Sequence, residues 1–289
     1  MRIFITGASG FLGDRVLLQL KGHEILSLSR NPEKIVAKHD VCIIKGDLHN
    51  PGEWQSELER FAPQWCMHLA WEGLPDYSFS RCRINLDASL KLLEILSHVG
   101  MNRIVIAGSC WEYGSVGGAV RESQPVNSCG IFASTKHSLR IMLESMAREN
   151  GFEYRWARIF FSYGPGQRAT SLMAQCHAAF SKGKAPDIRS PSIAQDFVYV
   201  DDVAQGLVSL TESDAPSGVY NIGSGKPTTV GYVVNRVASH FDMLPLFSTQ
   251  VADSGFWADT LKMTTASGWK ARMGIDEGIA LTLSALDKQ

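Results

Sequence analysis

The residues of this chain best suited to chemistry stand near its start: Gly7, Gly10 and Gly13, spaced Gly-x-x-Gly-x-x-Gly. They follow a short, mostly apolar run at 2–6 and precede a segment whose apolar face carries Phe11, Leu12, Val16, Leu17 and Leu20. A buried strand that turns tightly into a helix presents free backbone N–H groups and the positive end of the helix dipole. Glycines in that turn let a pyrophosphate come close to the backbone, so the stretch predicts a dinucleotide site. The second strand of such a unit ends at the adenosine ribose. Here that end holds Ser29 and Arg30, with no acid before Glu33. A hydroxyl and a guanidinium suit a 2′-phosphate that a carboxylate would repel, so NADP(H) is expected in preference to NAD(H). Asp47 and Leu48, ending the third strand, are placed to border the adenine.

These groups need a sheet to hold them. Apolar runs at 23–29, 41–45, 65–70, 104–107 and 153–160 alternate with helical patterns at 54–61, 79–99 and 131–150. That alternation predicts an α/β fold, a doubly wound parallel sheet with right-handed crossovers. Beyond Tyr163-Gly164-Pro165-Gly166 the rhythm loosens into helices at 172–182, from 202, and at 230–240, with short strands at 197–200 and 219–222 and a closing amphipathic segment at 275–286. The expected division is a dinucleotide-binding domain over 1–160 and a smaller α/β substrate lobe over 161–289, some segments exchanging between them. The lobe would lie over the carboxyl ends of the strands, where open α/β folds bind ligands.

Composition narrows the function classes. A chain of 289 residues buries a substantial core, and 28 basic against 29 acidic residues give no electrostatic reason for nucleic acid or an anionic membrane as partner. The six cysteines are scattered without paired spacing, which suggests neither a metal site nor a disulfide framework, and points to reduced thiols in a cytoplasmic protein. No apolar run is long enough to span a bilayer, and the first apolar residues belong to the nucleotide-binding strand rather than to a signal peptide.

The assembled motifs resemble the extended short-chain dehydrogenase/reductase family of sugar-nucleotide epimerases, dehydratases and reductases, over nearly the whole chain. Thr6-Gly7-Ala8-Ser9-Gly10-Phe11-Leu12-Gly13 is similar to its cofactor loop. His68-Leu69-Ala70, Asn85, Tyr163 to Gln167, Asp196 to Val203 and Tyr220 to Gly225 match further landmarks, and the resemblance brings Leu69, Ala70 and Asn85 to the cofactor. It also implies a Ser or Thr after the fifth strand that binds the reacting oxygen, here Ser109, and a lysine that holds the nicotinamide ribose, here Lys136. Four residues before that lysine the family has a tyrosine as general acid and base, and this chain has Phe132. Phenylalanine has no proton to exchange, and losing such a group costs about 10²–10⁴-fold in rate. Three readings stay open: an engineered Tyr→Phe variant, a natural enzyme using Tyr113, Glu112 or water, or a cofactor-binding regulatory protein with little catalysis.

Two more positions depart from the family. Gln195 stands where an arginine often clamps the substrate diphosphate, and Phe161 where many members carry asparagine; Arg168 and Arg189 are expected to compensate, beside Gln167. Cys110 and Trp111 occupy the places of the dehydratases' Asp-Glu pair, with Glu112 one place later, which disfavours dehydration. The segments 69–73 and 108–114 look most like reductases of nucleotide-bound 4-keto-6-deoxyhexoses, with Trp71 and Trp111 walling the sugar. The resemblance thus implies NADPH-dependent reduction at C4 in deoxysugar synthesis, with C4 epimerisation as the alternative. It also implies a homodimer through the helices at 79–99 and 131–150.

Overall fold

The first strand, Arg2–Thr6, buries Ile3, Phe4 and Ile5 completely, as expected of a strand covered on both faces. The computed structural model describes residues 1–36, 41–127, 129–248 and 254–288. In chain order its strands are β1 (Arg2–Thr6), β2 (Glu24–Ser29), β3 (Cys42–Lys45), β4 (Trp65–His68), β5 (Arg103–Ser109), β6 (Gly118–Val120), β7 (Glu153–Ile159), β8 (Phe161–Tyr163), β9 (Ala194–Gln195), β10 (Phe197–Tyr199), β11 (Gly218–Ile222), β12 (Thr228–Thr229) and β13 (Gly255–Ala258). Its helices are α1 (Phe11–Gln19), α2 (Glu33–Val36), α3 (Gln55–Phe61), α4 (Phe79–His98), α5 (Ile131–Asn150), α6 (Leu172–Phe180), α7 (Val200–Glu212), α8 (Val230–His240), α9 (Leu261–Ser267) and α10 (Ile275–Leu286).

Seven strands form one parallel sheet in the order β11-β7-β5-β4-β1-β2-β3. Helices α1 and α7 cover one face with Val16, Leu17, Val203 and Leu207, and α4 and α5 cover the other with Leu92, Leu96, Leu139 and Leu143. Each such side chain, fully buried, contributes about 1.5–3 kcal/mol. The expected doubly wound architecture is what forms.

A second layer sits beyond the carboxyl ends of this sheet. Strands β8 and β10 pair, β12-β9-β13-β6 make a small mixed sheet, and α6, α8 and α10 pack around Met173, Phe180, Val233, Val237, Ile279 and Leu283. Asp287, just past α10, ties three helix ends together by accepting hydrogen bonds from His177 Nε2 (2.8 Å) and His240 Nε2 (3.0 Å). Ligating atoms of these three residues lie within 4.8 Å of one another, a convergence that residues so far apart in sequence do not announce.

The two layers exchange segments. Residues 219–222, read as part of the lobe, form the outer strand of the main sheet, where Val219 to Ile222 pair with Trp156 to Ile159. Helix α7 packs on α1, and β6 crosses in the other direction to pair with β13. The strands of two to four residues in the lobe are too short to carry a readable period.

Candidate active site

Strand order reverses between β1 and β4, whose ends are therefore the place for a ligand crevice. Gly7 adopts φ +79°, and a Cβ there would lie 2.6 Å from the Ala70 nitrogen. A Cβ on Gly13 would lie 2.2 Å from the Gly7 carbonyl oxygen. Only glycine lets β1, α1 and the end of β4 approach this closely. Gly10 caps α1 without a side-chain hydrogen bond, which leaves the first-turn amides open to an anion. They form the floor of a groove of about 550 Å³ lined by Thr6, Gly7, Ser9, Gly10, Phe11, Leu12 and Gly13, by Ser29, Arg30, Asp47 and Leu48, and by Leu69, Ala70 and Asn85. Every residue assigned to the cofactor except Lys136 thus lines one groove.

A polar chain holds the groove's shape. Ser89 Oγ donates to the Asn85 carbonyl (2.7 Å), so His68 Nε2 donates to Ser89 Oγ (3.0 Å) and His68 Nδ1 accepts from Thr6 Oγ1 (2.6 Å). Burial, reinforced by the Lys136 charge, pushes His68 down to about 3 and keeps it neutral in this role. Asn85 grips the β4–α4 loop at both backbone groups of Glu72, accepting from its N–H (2.6 Å) and donating to its carbonyl (3.0 Å). The Glu72 carboxylate is bound by Arg81 (3.0 Å), His49 (3.1 Å) and Arg30 (3.2 Å). Burial alone would raise this carboxyl; the His49 hydrogen bond and the Arg30 charge outweigh it and hold it below the usual range. Arg30, the basis for expecting a 2′-phosphate, is therefore already engaged by Glu72 and lies 3.9 Å from Asp47. Ser29 Oγ accepts from the Asn31 N–H, and Asp47 Oδ1 from the His49 N–H, so both also shape the turns they sit in.

A second cavity, about 350 Å³, opens off the groove past Leu12, Leu69 and Trp71. Ser109, Cys110, Trp111, Phe132, Lys136, Phe161, Gln167, Arg168 and Gln195 line it. Ser109 Oγ accepts the Trp111 N–H (3.2 Å), which leaves its own proton for a substrate oxygen. Lys136 Nζ donates to the Ala107 carbonyl (2.8 Å) and lies 3.9 Å from the Trp71 ring centroid. Burial pushes this amine down to about 7, against the opposing pull of Glu112. Phe132 is boxed by Tyr77 (5.1 Å between centroids), Trp71 (5.4 Å) and Trp111 (5.8 Å).

Two residues expected at the substrate are elsewhere. Glu112 is fully buried beneath the cavity, where it accepts from the Ser109 N–H (2.9 Å), Trp156 Nε1 (2.8 Å) and Arg158 Nε (3.1 Å). It fixes Ser109 by a capping box and cannot reach a ligand, because every approach is filled by its own partners. Arg189 lies on the exposed 181–190 stretch and lines neither cavity. Tyr113 is also withdrawn from use as a proton donor. It is fully buried, donates to Asn221 Oδ1 (2.7 Å), and burial pushes its hydroxyl up to about 12.

The donor set fits a pyridine dinucleotide. The glycine cradle closes on any added Cβ, and Trp71 Nε1, Gln167 Nε2 and Ser171 Oγ, all from residues lining both compartments, are buried without a hydrogen-bond partner. The sequence model of the NAD dependent epimerase/dehydratase family matches residues 3–223. The chain belongs to that family. It is an oxidoreductase of the extended short-chain dehydrogenase/reductase type. A relative named a probable UDP-glucuronate 4-epimerase, from Rhizobium meliloti (strain 1021), is 24% identical across 97% of this chain and 95% of its own length. MoeE5, solved in complex with UDP-glucose and NAD, is 26% identical with a TM-score of 0.85, covering 100% of this chain and 99% of that one. The UDP-glucose 4-epimerase of Thermotoga maritima, solved with UDP-glucose, shares the fold at a TM-score of 0.87 and 22% identity, covering 100% and 99%.

Against the family pattern, the site holds residues that sequence reasoning missed: Glu72, His49, Leu74, Tyr77 and Ser171. All five lie on turns or loops between elements, where no period marks a side chain as inward. The apolar and aromatic density of 69–77 was the available signal.

Proposed function

We propose that the protein is a nucleotide-sugar C4 oxidoreductase working as a 4-epimerase on a retained pyridine dinucleotide, NAD(H) in preference to NADP(H). The carrying observation is that Ser109 and Lys136 line a cavity of about 350 Å³ that opens directly off the glycine-floored groove. The bound dinucleotide supplies the hydride acceptor and donor. Ser109 Oγ binds the C4 oxygen, and Lys136 holds the ribose from under Trp71. Gln167, Gln195 and Arg168 receive the diphosphate, with Arg168 the sole guanidinium lining this cavity among the described residues. The names of the relatives support epimerisation, and the Arg30–Glu72 pair supports NAD(H), since a 2′-phosphate would enter beside two carboxylates.

The second reading, NADPH-dependent reduction of a nucleotide-bound 4-keto-6-deoxyhexose, is favoured by Arg30 itself, which stays half exposed at the groove's rim. Incubation with NAD⁺ and UDP-glucose or UDP-glucuronic acid, followed by chromatography of the C4 epimers, separates the two. Epimerisation interconverts the sugars with no net change at 340 nm; reduction consumes NADPH only when a 4-keto sugar is supplied. If neither occurs while dinucleotide binds, the regulatory reading replaces both. A cytoplasmic homodimer completes the proposal. Ile141 and Met142 lie about half exposed on α5, and a monomer by light scattering would remove the dimer.

A further inference from the structure

Exchange of hydride at C4 requires exchange of a proton at the C4 oxygen, and Phe132 cannot supply it. The titratable side chains lining the cavity are Tyr77, Cys110, Lys136, Tyr163 and Arg168. Cys110 is buried, and its thiol is held well above its usual range by burial. The Tyr163 hydroxyl is spent on the Ile275 carbonyl (3.4 Å), away from the cavity. The Arg168 guanidinium offers hydrogen-bond donors and no acceptor for a proton. Lys136 points its amine at the Ala107 carbonyl and the face of Trp71. Tyr77 is different. Its ring lies 5.1 Å from Phe132 and 5.2 Å from Trp111, it is only half buried, and no described residue hydrogen-bonds its hydroxyl. The loop that carries it is set at one end by the Asn85 clamp on Glu72 and at the other by Ser78, which caps α4 by accepting the Arg81 N–H.

We propose that Tyr77 is the proton-exchanging residue of this site, a phenol brought from the β4–α4 loop to stand beside the phenyl ring at 132. In the oxidative direction a dinucleotide held in the groove would accept the hydride that leaves C4. The C4 hydroxyl proton passes to the Tyr77 phenolate oxygen, leaving a C4 carbonyl and a phenol. Return of the hydride draws the same proton back to the C4 oxygen. This assignment rests on the C4 chemistry proposed above.

The test compares wild type, Tyr77→Phe and the double variant Tyr77→Phe/Phe132→Tyr, each checked for an unchanged thermal melt. With whichever of UDP-glucose or UDP-glucuronic acid the wild type converts, Tyr77→Phe should lower kcat by about 10²–10⁴-fold and change KM little, and the second substitution should restore at least tenfold. A ring that only packed against the sugar would survive the change to phenylalanine and show no rescue. The other readout needs no turnover. A cationic nicotinamide beside a phenol favours the phenolate, so NAD⁺ binding should release protons, measured by calorimetry at pH 9 in buffers of different ionisation enthalpy. Lys136, at about 7, is already neutral there. Wild type should release a substantial fraction of a proton, Tyr77→Phe none, and the double variant again a fraction. Equal proton release in wild type and Tyr77→Phe overturns the assignment, as does kcat within about threefold of wild type. If no sugar is converted but release is lost in Tyr77→Phe, the phenol stands at the nicotinamide and the C4 reading alone fails.

Discussion

At the glycine-floored end of the groove the contact surface is backbone: Gly7, Gly13 and the Ala70 backbone meet at distances that leave no room for a Cβ on either glycine. In the second cavity the surface is ring faces, with Trp71, Tyr77, Trp111 and Phe132 drawn from three separate segments. A backbone wall is fixed by chain path, so it resists substitution and presents the same amides to any pyrophosphate. A wall of side chains can exchange one ring for another, and can move a hydroxyl from one position to its neighbour, while the enclosure stays closed. Phenylalanine at 132 keeps the second kind of wall closed, as its packing against Trp71, Tyr77 and Trp111 shows.

The contrast can be broken first at the cavity floor. Glu112→Ala leaves Arg158 buried without its counter-charge, and should cost about 3–5 kcal/mol, read as a fall in the denaturant midpoint. A loss below about 1 kcal/mol would show that the ring wall does not depend on the charge beneath it. In the groove, Gly7→Ala imposes a strained backbone at about 1–3 kcal/mol besides the contact with Ala70. NAD⁺ binding by calorimetry should weaken by about 10–100-fold, and unchanged affinity would refute the close-approach argument. At the groove's far end, Glu72→Gln should raise affinity for NADP⁺ relative to NAD⁺ by about three- to tenfold, an effect fading at high salt because the pair is partly exposed. The last signal is a slope. Lys136 titrates near 7 when folded against about 10.5 when free, so between those values the unfolded chain binds more protons and stability rises with pH. Lys136→Met should flatten that rise; an unaltered slope assigns it to another group.

The same contrast explains what could be read from the chain before its shape was known. Gly7, Gly10 and Gly13 are neighbours in sequence and in space, so β1, its turn and α1 were legible as a unit, as were the long helices around Leu92 and Leu139. Ser109 and Lys136 were found through flanking motifs, and they share the cavity. Glu112 was misplaced because a carboxylate one residue from a cavity-lining side chain can point into the cavity or beneath it, and Trp156 and Arg158, 44 and 46 residues on, decide. Tyr77 was missed because a loop residue acquires its neighbours from Phe132 and Trp111, which no local pattern encodes.

One short loop serves both compartments. Asn85 holds its start at Glu72, which lines the groove, and five residues on it delivers Tyr77 to the second cavity. Any adjustment at Glu72 on binding the first ligand therefore changes the free energy of binding the second, and by linkage the effect is mutual and equal in size. The sugar nucleotide would tighten the hold on the dinucleotide whenever the dinucleotide tightens the hold on the sugar.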